Sequence, residues 1–278
     1  MRLQLTLSLT EEKSLHFDYN PYIQAWIYHI LGEADGELAT FLHDQGYGEE
    51  NRQFKFFTFA EPNLYPYKVD AKVGFFRLQG TTIELEVAFA IDQHLKRFVE
   101  GLFLNQTGRW GALHFVVAEI VIKDEPDFST LMTYTTLSPV LLKKKYERDK
   151  KEKHLAPNWD ALPARDQNEI CQLDDTITPN SYTAFFANHL IKNIKRKDQV
   201  FSLVTDVEAD HEEIEVNVLK VGRSKLIHLS KDGGKKVSIK AYHFTFELSA
   251  PLEVHQMIYN AGLGDNCSMG LGCLGVKK

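Results

Sequence analysis

Cysteine is scarce in this sequence. The three present in 278 residues, Cys171, Cys267 and Cys273, are odd in number and form no CxxC pair, which argues against a disulfide framework and against a four-thiolate zinc site. Nowhere do 18 or more apolar residues run together, so no membrane-spanning helix is predicted. The opening MRLQLTLSLT alternates apolar and polar residues like a strand and does not read as a signal peptide. The expectation is a soluble protein of a reducing cytoplasm with no membrane partner. No Gly-Lys-Ser/Thr occurs, which removes the P-loop, and the eleven histidines include no HExxH, so neither metal nor cofactor is expected. Strong net charge is missing too: −6 overall, with a pI near 6.0, argues mildly against a protein that coats nucleic acid.

What is present is apolar residues, at 44%, enough to fill a core in one large domain or two of ordinary size. Charge is unevenly distributed. Residues 1–140 hold 11 Lys+Arg and 19 Asp+Glu, a net of −8, whereas residues 141–278 hold 21 and 19, a net of +2. A polyanion should therefore meet the second half first.

Leu3, Leu5, Leu7 and Leu9 alternate with polar partners, the pattern of a half-buried strand. In the following segment Asn20 can cap a helix and Pro21 can occupy its first turn. Ile23, Trp26, Ile27, Ile30 and Leu31 lie on one helical stripe, leaving Tyr28 and His29 on opposite flanks. A second helix, about 37–45, buries Leu38, Phe41 and Leu42, carries His43 in its last turn and stops at Gly46, suited to a left-handed exit. Strand-like runs at 54–60, 73–79 and 82–90, a helix near 92–103 and a strand near 113–122 complete the split βαβ order of a ferredoxin-like domain. The polar segment 123–130 is the expected boundary. The second half repeats the order, with a helix near 179–194, strands at 214–221, 225–230 and 236–248, a KDGGKK turn, and a final helix marked by Val254, Met257 and Ile258. The charged 143–153 stretch reads as a surface helix or an arm. The predicted class is thus α+β, two tandem ferredoxin-like domains of the RRM or RAMP kind at 1–125 and 126–278.

The terminal glycine cluster resembles a nucleotide loop but lies in the wrong order. It leaves a predicted helix C-terminus, which repels anions, and enters a strand, whereas the dinucleotide fingerprint leaves a strand and enters a helix. Its glycines either permit positive φ and close packing, or let an extended strand such as a nucleic acid approach bare backbone.

Four segments together resemble one family, the CRISPR-associated endoribonucleases of the RAMP superfamily that cut the repeats of precursor CRISPR RNA. Gly262, Gly264, Ser268, Gly270 and Gly272 fit its GxGxxxSxGxG loop. Phe41-Leu-His-Asp44 with Phe54-Lys-Phe-Phe-Thr-Phe59 resembles its LH…K-[LF]-F-T-[FY] segment, Ala25 to Ile30 its first-helix segment, and Thr136-Leu-Ser-Pro139 the strand opening its second domain. The resemblance implies catalytic places for Tyr28, His43 and Lys55, and metal-independent cleavage by 2′-hydroxyl attack that leaves 2′,3′-cyclic phosphate and 5′-hydroxyl ends. A histidine suits proton transfer near neutrality, and a helix C-terminus favours its cation by about 0.3–1 kcal/mol. Lys55 is expected on the opposite strand face from Phe54, Phe56 and Thr58. His29, next to Tyr28, is the rival base.

RNA contacts are expected from the five loop residues and from Arg223, Lys225, Lys231, Lys235, Lys236 and Lys240 on and beside the predicted hairpin. CRISPR repeat RNA is the implied partner, with subunits of a surveillance complex or a second copy of the chain left open. The alternative is a non-catalytic module that binds repeat RNA within such a complex.

Overall fold

The computed structural model describes residues 1–10, 13–49, 52–145, 152–174, 177–206, 214–230 and 236–277. They divide into two compact units: Met1–Glu125 with Asn260–Gly262 and Cys267–Gly270 form the first, and Pro126–Tyr259, Leu263–Asn266 and the chain from Leu271 form the second. The division at Glu125 falls in the polar 123–130 segment. Short pieces of the C-terminal glycine loop fall in each unit.

The first unit contains β1 (Arg2–Leu9), α1 (Asn20–Ala34), α2 (Gly36–Asp44), β2 (Phe57–Phe59), β3 (Thr82–Phe89), α3 (Asp92–Leu104), β4 (Thr107–Trp110) and β5 (Leu113–Lys123). Its main sheet runs β2-β3-β1-β5-β4 with every neighbouring pair antiparallel. The two-residue period of β1 puts Leu3, Leu5 and Leu7 in the core at 0% exposure, where each contributes about 2 kcal/mol of transfer free energy. The α1 stripe buries Ile23, Trp26, Ile27, Ile30 and Leu31 as its spacing predicts. A separate three-stranded sheet is made by Ser14–His16, Tyr67–Asp70 and Phe75–Leu78.

Two local expectations are corrected. Asn20 does not cap α1: the N-cap is Tyr19, with no side-chain cap, and Asn20 already lies inside the helix with its amide used elsewhere. The 54–60 run is not one strand. Arg52–Phe54 and β2 are separated at Phe56, whose φ of +53° breaks the alternation. Phe56, Phe57, Thr58 and Phe59 are all buried, so face parity does not place Lys55.

The second unit contains β6 (Leu131–Thr136), α4 (Tyr182–Thr205), β7 (Glu215–Ser230), β8 (Lys236–Ser249), α5 (Leu252–Ala261) and β9 (Leu274–Val276). Its sheet runs β7-β8-β6-β9, again antiparallel throughout. The runs at 214–221 and 225–230 are one strand, and register shifts at Val218/Lys220 and Val221/Ser224 explain why its pattern looks broken. The 143–153 stretch, read as a helix or arm, pairs Lys143–Lys145 with Glu152–His154 as an antiparallel ladder. Among the described residues no helix is long and apolar enough to cross a membrane.

Candidate active site

Within the first unit α1 presents a polar stripe spaced by four: Asn20, Gln24 and Tyr28. The 3-10 turn Cys267–Met269, which belongs to this unit, lies against it. Asn20 Nδ2 donates to the carbonyls of Met269 at 2.8 Å and Gly270 at 3.3 Å, and Gln24 Nε2 donates to Ser268 Oγ at 3.3 Å. Tyr28 comes next along the stripe. Its hydroxyl donates to the Leu42 carbonyl at 3.3 Å, and its ring meets Phe57 edge-on at 5.6 Å. Burial pushes the Tyr28 phenol above its usual value, while hydrogen bonds with Ser268 and Gln24 pull the other way.

His43 stands in the last turn of α2, which begins at the Asp35 cap, where Leu38 N donates to Asp35 Oδ1 at 2.9 Å. Its ring lies edge-on to Tyr28 with centroids 5.3 Å apart. Lys55 reaches the same corner, donating from Nζ to the His43 carbonyl at 3.3 Å. Burial lowers the Lys55 ammonium, and Asp44 partly restores it. The three residues singled out as catalytic thus come together. His29 does not join them: its partners are Glu33 at 3.4 Å and Asn105 at 3.3 Å.

Two neighbours were not anticipated. Asp44 Oδ1 is 2.7 Å from His43 Nδ1, so in the tautomer with Nδ1–H donating, Nε2 is left as the proton acceptor. Gln24 was missed because its signal is only the spacing of four with Asn20 and Tyr28. The left-handed Phe56, beside Lys55, is the kind of backbone outlier that gathers at functional sites.

The glycines of the loop are buried, at φ between +71° and +83°. A Cβ on Gly264 would stand 2.3 Å from the Leu141 carbonyl oxygen, and one on Gly270 2.1 Å from the Phe59 ring. Gly272 and Gly262 are closed in likewise by Leu263 and by Cys267 and Thr58. The packing reading of these glycines accounts for this geometry: the space a side chain would need is filled by the chain itself. Ser268 is the loop residue that faces the candidate site.

The basic hairpin divides its cations. Lys225 pairs with Ala241 and shares a face with buried Ile227 and Ile239, whereas Lys240 pairs with Leu226 on the other face, its ammonium 5.3 Å from the Tyr242 ring centroid. Arg223 lies in the bulge between Val221 and Ser224. Lys231 and Lys235 lie outside the described residues, and of Lys236 only the strand pairing with Ser230 is described. Among the described residues no three His, Cys, Asp or Glu side chains gather as a metal site requires.

The fold is that of RAMP proteins. It superposes on a RAMP protein described as binding different RNA substrates with a TM-score of 0.73 at 17% identity, covering 100% of both chains. A Cas6-related protein from Pyrococcus furiosus gives 0.73 at 18%, covering 100% of this chain and 98% of that one, and a CRISPR associated protein Cas6 gives 0.68 at 22%, covering 100% and 99%. The sequence profile of the family described as CRISPR associated protein Cas6, C-terminal, matches residues 123–276. The chain belongs to the Cas6 family of CRISPR-associated proteins. It is 30% identical over 132 residues to the CRISPR-associated endoribonuclease Cas6 of Pyrococcus furiosus, an alignment spanning 45% of this chain and less than half, 44%, of that relative.

Proposed function

We propose that this chain is an endoribonuclease that cuts CRISPR repeat RNA to release guide RNAs, and that its two units are tandem ferredoxin-like domains. The domain reading is supported by strand order: the main sheet of the first unit runs second, third, first, fifth, fourth in chain order and that of the second unit second, third, first, fourth, so the two share the second-third-first part, with a helix after the first and third strands. The catalytic reading is carried by one observation, the convergence of Tyr28, His43 and Lys55 at 5.3 Å between rings and 3.3 Å from ammonium to carbonyl.

The RNA supplies the nucleophile, its own 2′-hydroxyl, so the step needs no metal. His43 Nε2 takes the 2′-proton as O2′ attacks the adjacent phosphorus. Lys55 offsets the charge that develops on the phosphorane oxygens. Tyr28, whose raised pKa keeps it protonated, gives its proton to O5′ as the P–O5′ bond breaks. The products are a 2′,3′-cyclic phosphate and a 5′-hydroxyl, and water returns the protons. Ser268 and Gln24 hold Tyr28 in position. Arg223, Lys225 and Lys240 add phosphate contacts in the second unit.

The test is single-turnover cleavage of repeat RNA by His43→Ala. Loss of general-base catalysis should slow cleavage by about 10²–10⁴-fold with RNA affinity kept within a few-fold. Cleavage at the wild-type rate would remove His43 from the chemistry, and binding without cleavage by the wild type would make the chain a non-catalytic repeat-binding module.

A further inference from the structure

The three-stranded sheet of the first unit has a core face and an outer face. Leu15 and Leu78 are 0% and 6% exposed, and Phe76 packs against the same core, so this face turns inward on the strands Ser14–His16 and Phe75–Leu78, while Tyr67 and Val69 on the edge strand are 42% and 59% exposed. Register then puts Ser14, Arg77 and Lys68 in one row of the opposite face, where Ser14 is itself buried and Arg77 and Lys68 are exposed, and His16, Phe75 and Asp70 in the next. Lys68 therefore sits directly across the ladder from Arg77, a like-charge pairing that costs stability. Asp70 approaches Arg77 at 3.5 Å, and Ser14 Oγ accepts from it at 2.6 Å, but among the described residues Lys68 has no ion pair. Beside these cations the Phe75 ring carries the Arg77 guanidinium at 5.7 Å and meets His16 edge-on at 5.1 Å.

A guanidinium held over an aromatic ring with a second cation beside it is what a single strand of RNA uses: phosphates for the ammonium and guanidinium, a base for the ring and the guanidinium plane. Their placement is selective, because the first half of the chain is otherwise acidic and Lys68, Lys72 and Arg77 are three of its eleven basic residues. We infer that this outer face binds a single-stranded RNA segment, separately from the cleavage residues. The inference rests on the RNA-processing function proposed above, and it extends that function to unpaired RNA held through phosphate and stacking contacts with little sequence preference.

The experiment measures binding of fluorescein-labelled rU12, and of a 12-base-pair RNA duplex, to the full chain over a range of salt. Lys68→Glu should weaken rU12 binding about tenfold and flatten the log–log salt slope by about one unit. Arg77→Lys, which keeps the charge but loses the plane, should weaken it by a smaller factor with the slope unchanged. Duplex binding and single-turnover cleavage of repeat RNA should be unaffected by either variant. Wild-type affinity and slope in a Lys68→Glu protein of unchanged melting temperature would overturn the inference while leaving the nuclease reading intact. A wild type that neither binds rU12 nor cuts repeat RNA would overturn both.

Discussion

Lys55 should set the alkaline side of the pH profile. Its burial beside the His43 carbonyl lowers its pKa from the usual 10.5, so the ammonium is lost at a lower pH than an exposed lysine would lose it. If that charge offsets the phosphorane, the cleavage rate should fall on the alkaline side below the usual lysine value, and Lys55→Arg should carry the fall to higher pH. An identical alkaline limb in the two proteins would exclude the charge on Lys55 as its origin. His94 makes a different prediction, about stability. It is 1% exposed, its Nε2 is 3.0 Å from the Tyr47 hydroxyl, its Nδ1 has no hydrogen-bond partner among the described residues, and burial brings its pKa down to about 4. Between 6.5 and about 4 the unfolded chain takes up a proton that the folded one refuses, so stability is full above that window and falls as pH is lowered through it, by up to about 3 kcal/mol. Thermal melts from pH 7 to pH 4.5 should show a shallower loss in His94→Gln, and equal losses would contradict the assignment.

At the level of elements the unit of design is α1. One face fills the core and another, spaced by four, holds the turn at 267–269 and aims Tyr28 at His43. Asn20→Ala leaves two carbonyls without their donor and should lower stability by about 1 kcal/mol. Gln24→Ala should lower kcat more than it changes KM, since it acts on the orientation of Tyr28 rather than on RNA. A purely structural role would show as a lowered melting temperature with normal kcat. Much of this was legible in the sequence. The core face of α1, the end of α2 at Gly46 with φ of +76°, and the position of His43 all follow from local spacing. The rest depends on partners distant in sequence. Asn20 reads as a cap until Met269 and Gly270, some 250 residues on, present carbonyls to it. The break at Phe56 carries no local mark, since a phenylalanine at positive φ is held there only by its surroundings. Residues 143–145 look like a charged helix because nothing nearby announces the strand at 152–154 that they pair with.

For the whole molecule, the sheets of the two units share the second-third-first part of their strand order, while charge sets the halves of the chain apart: the acidic half carries the candidate chemistry and the basic half carries most of the cations. In the glycine loop, whose spacing marks the family resemblance, the glycines pack closely against the chain, and Ser268 stands beside Tyr28. The central claim is that the RNA cuts itself under the guidance of His43, Lys55 and Tyr28. The direct measurement is cleavage of a repeat RNA in excess EDTA, side by side with the same RNA carrying a 2′-deoxy substitution at the scissile nucleotide. One cut with a 2′,3′-cyclic phosphate end is expected in the first and an intact strand in the second. Cleavage of the deoxy-substituted RNA at the same bond, or a dependence on added divalent metal, would contradict it.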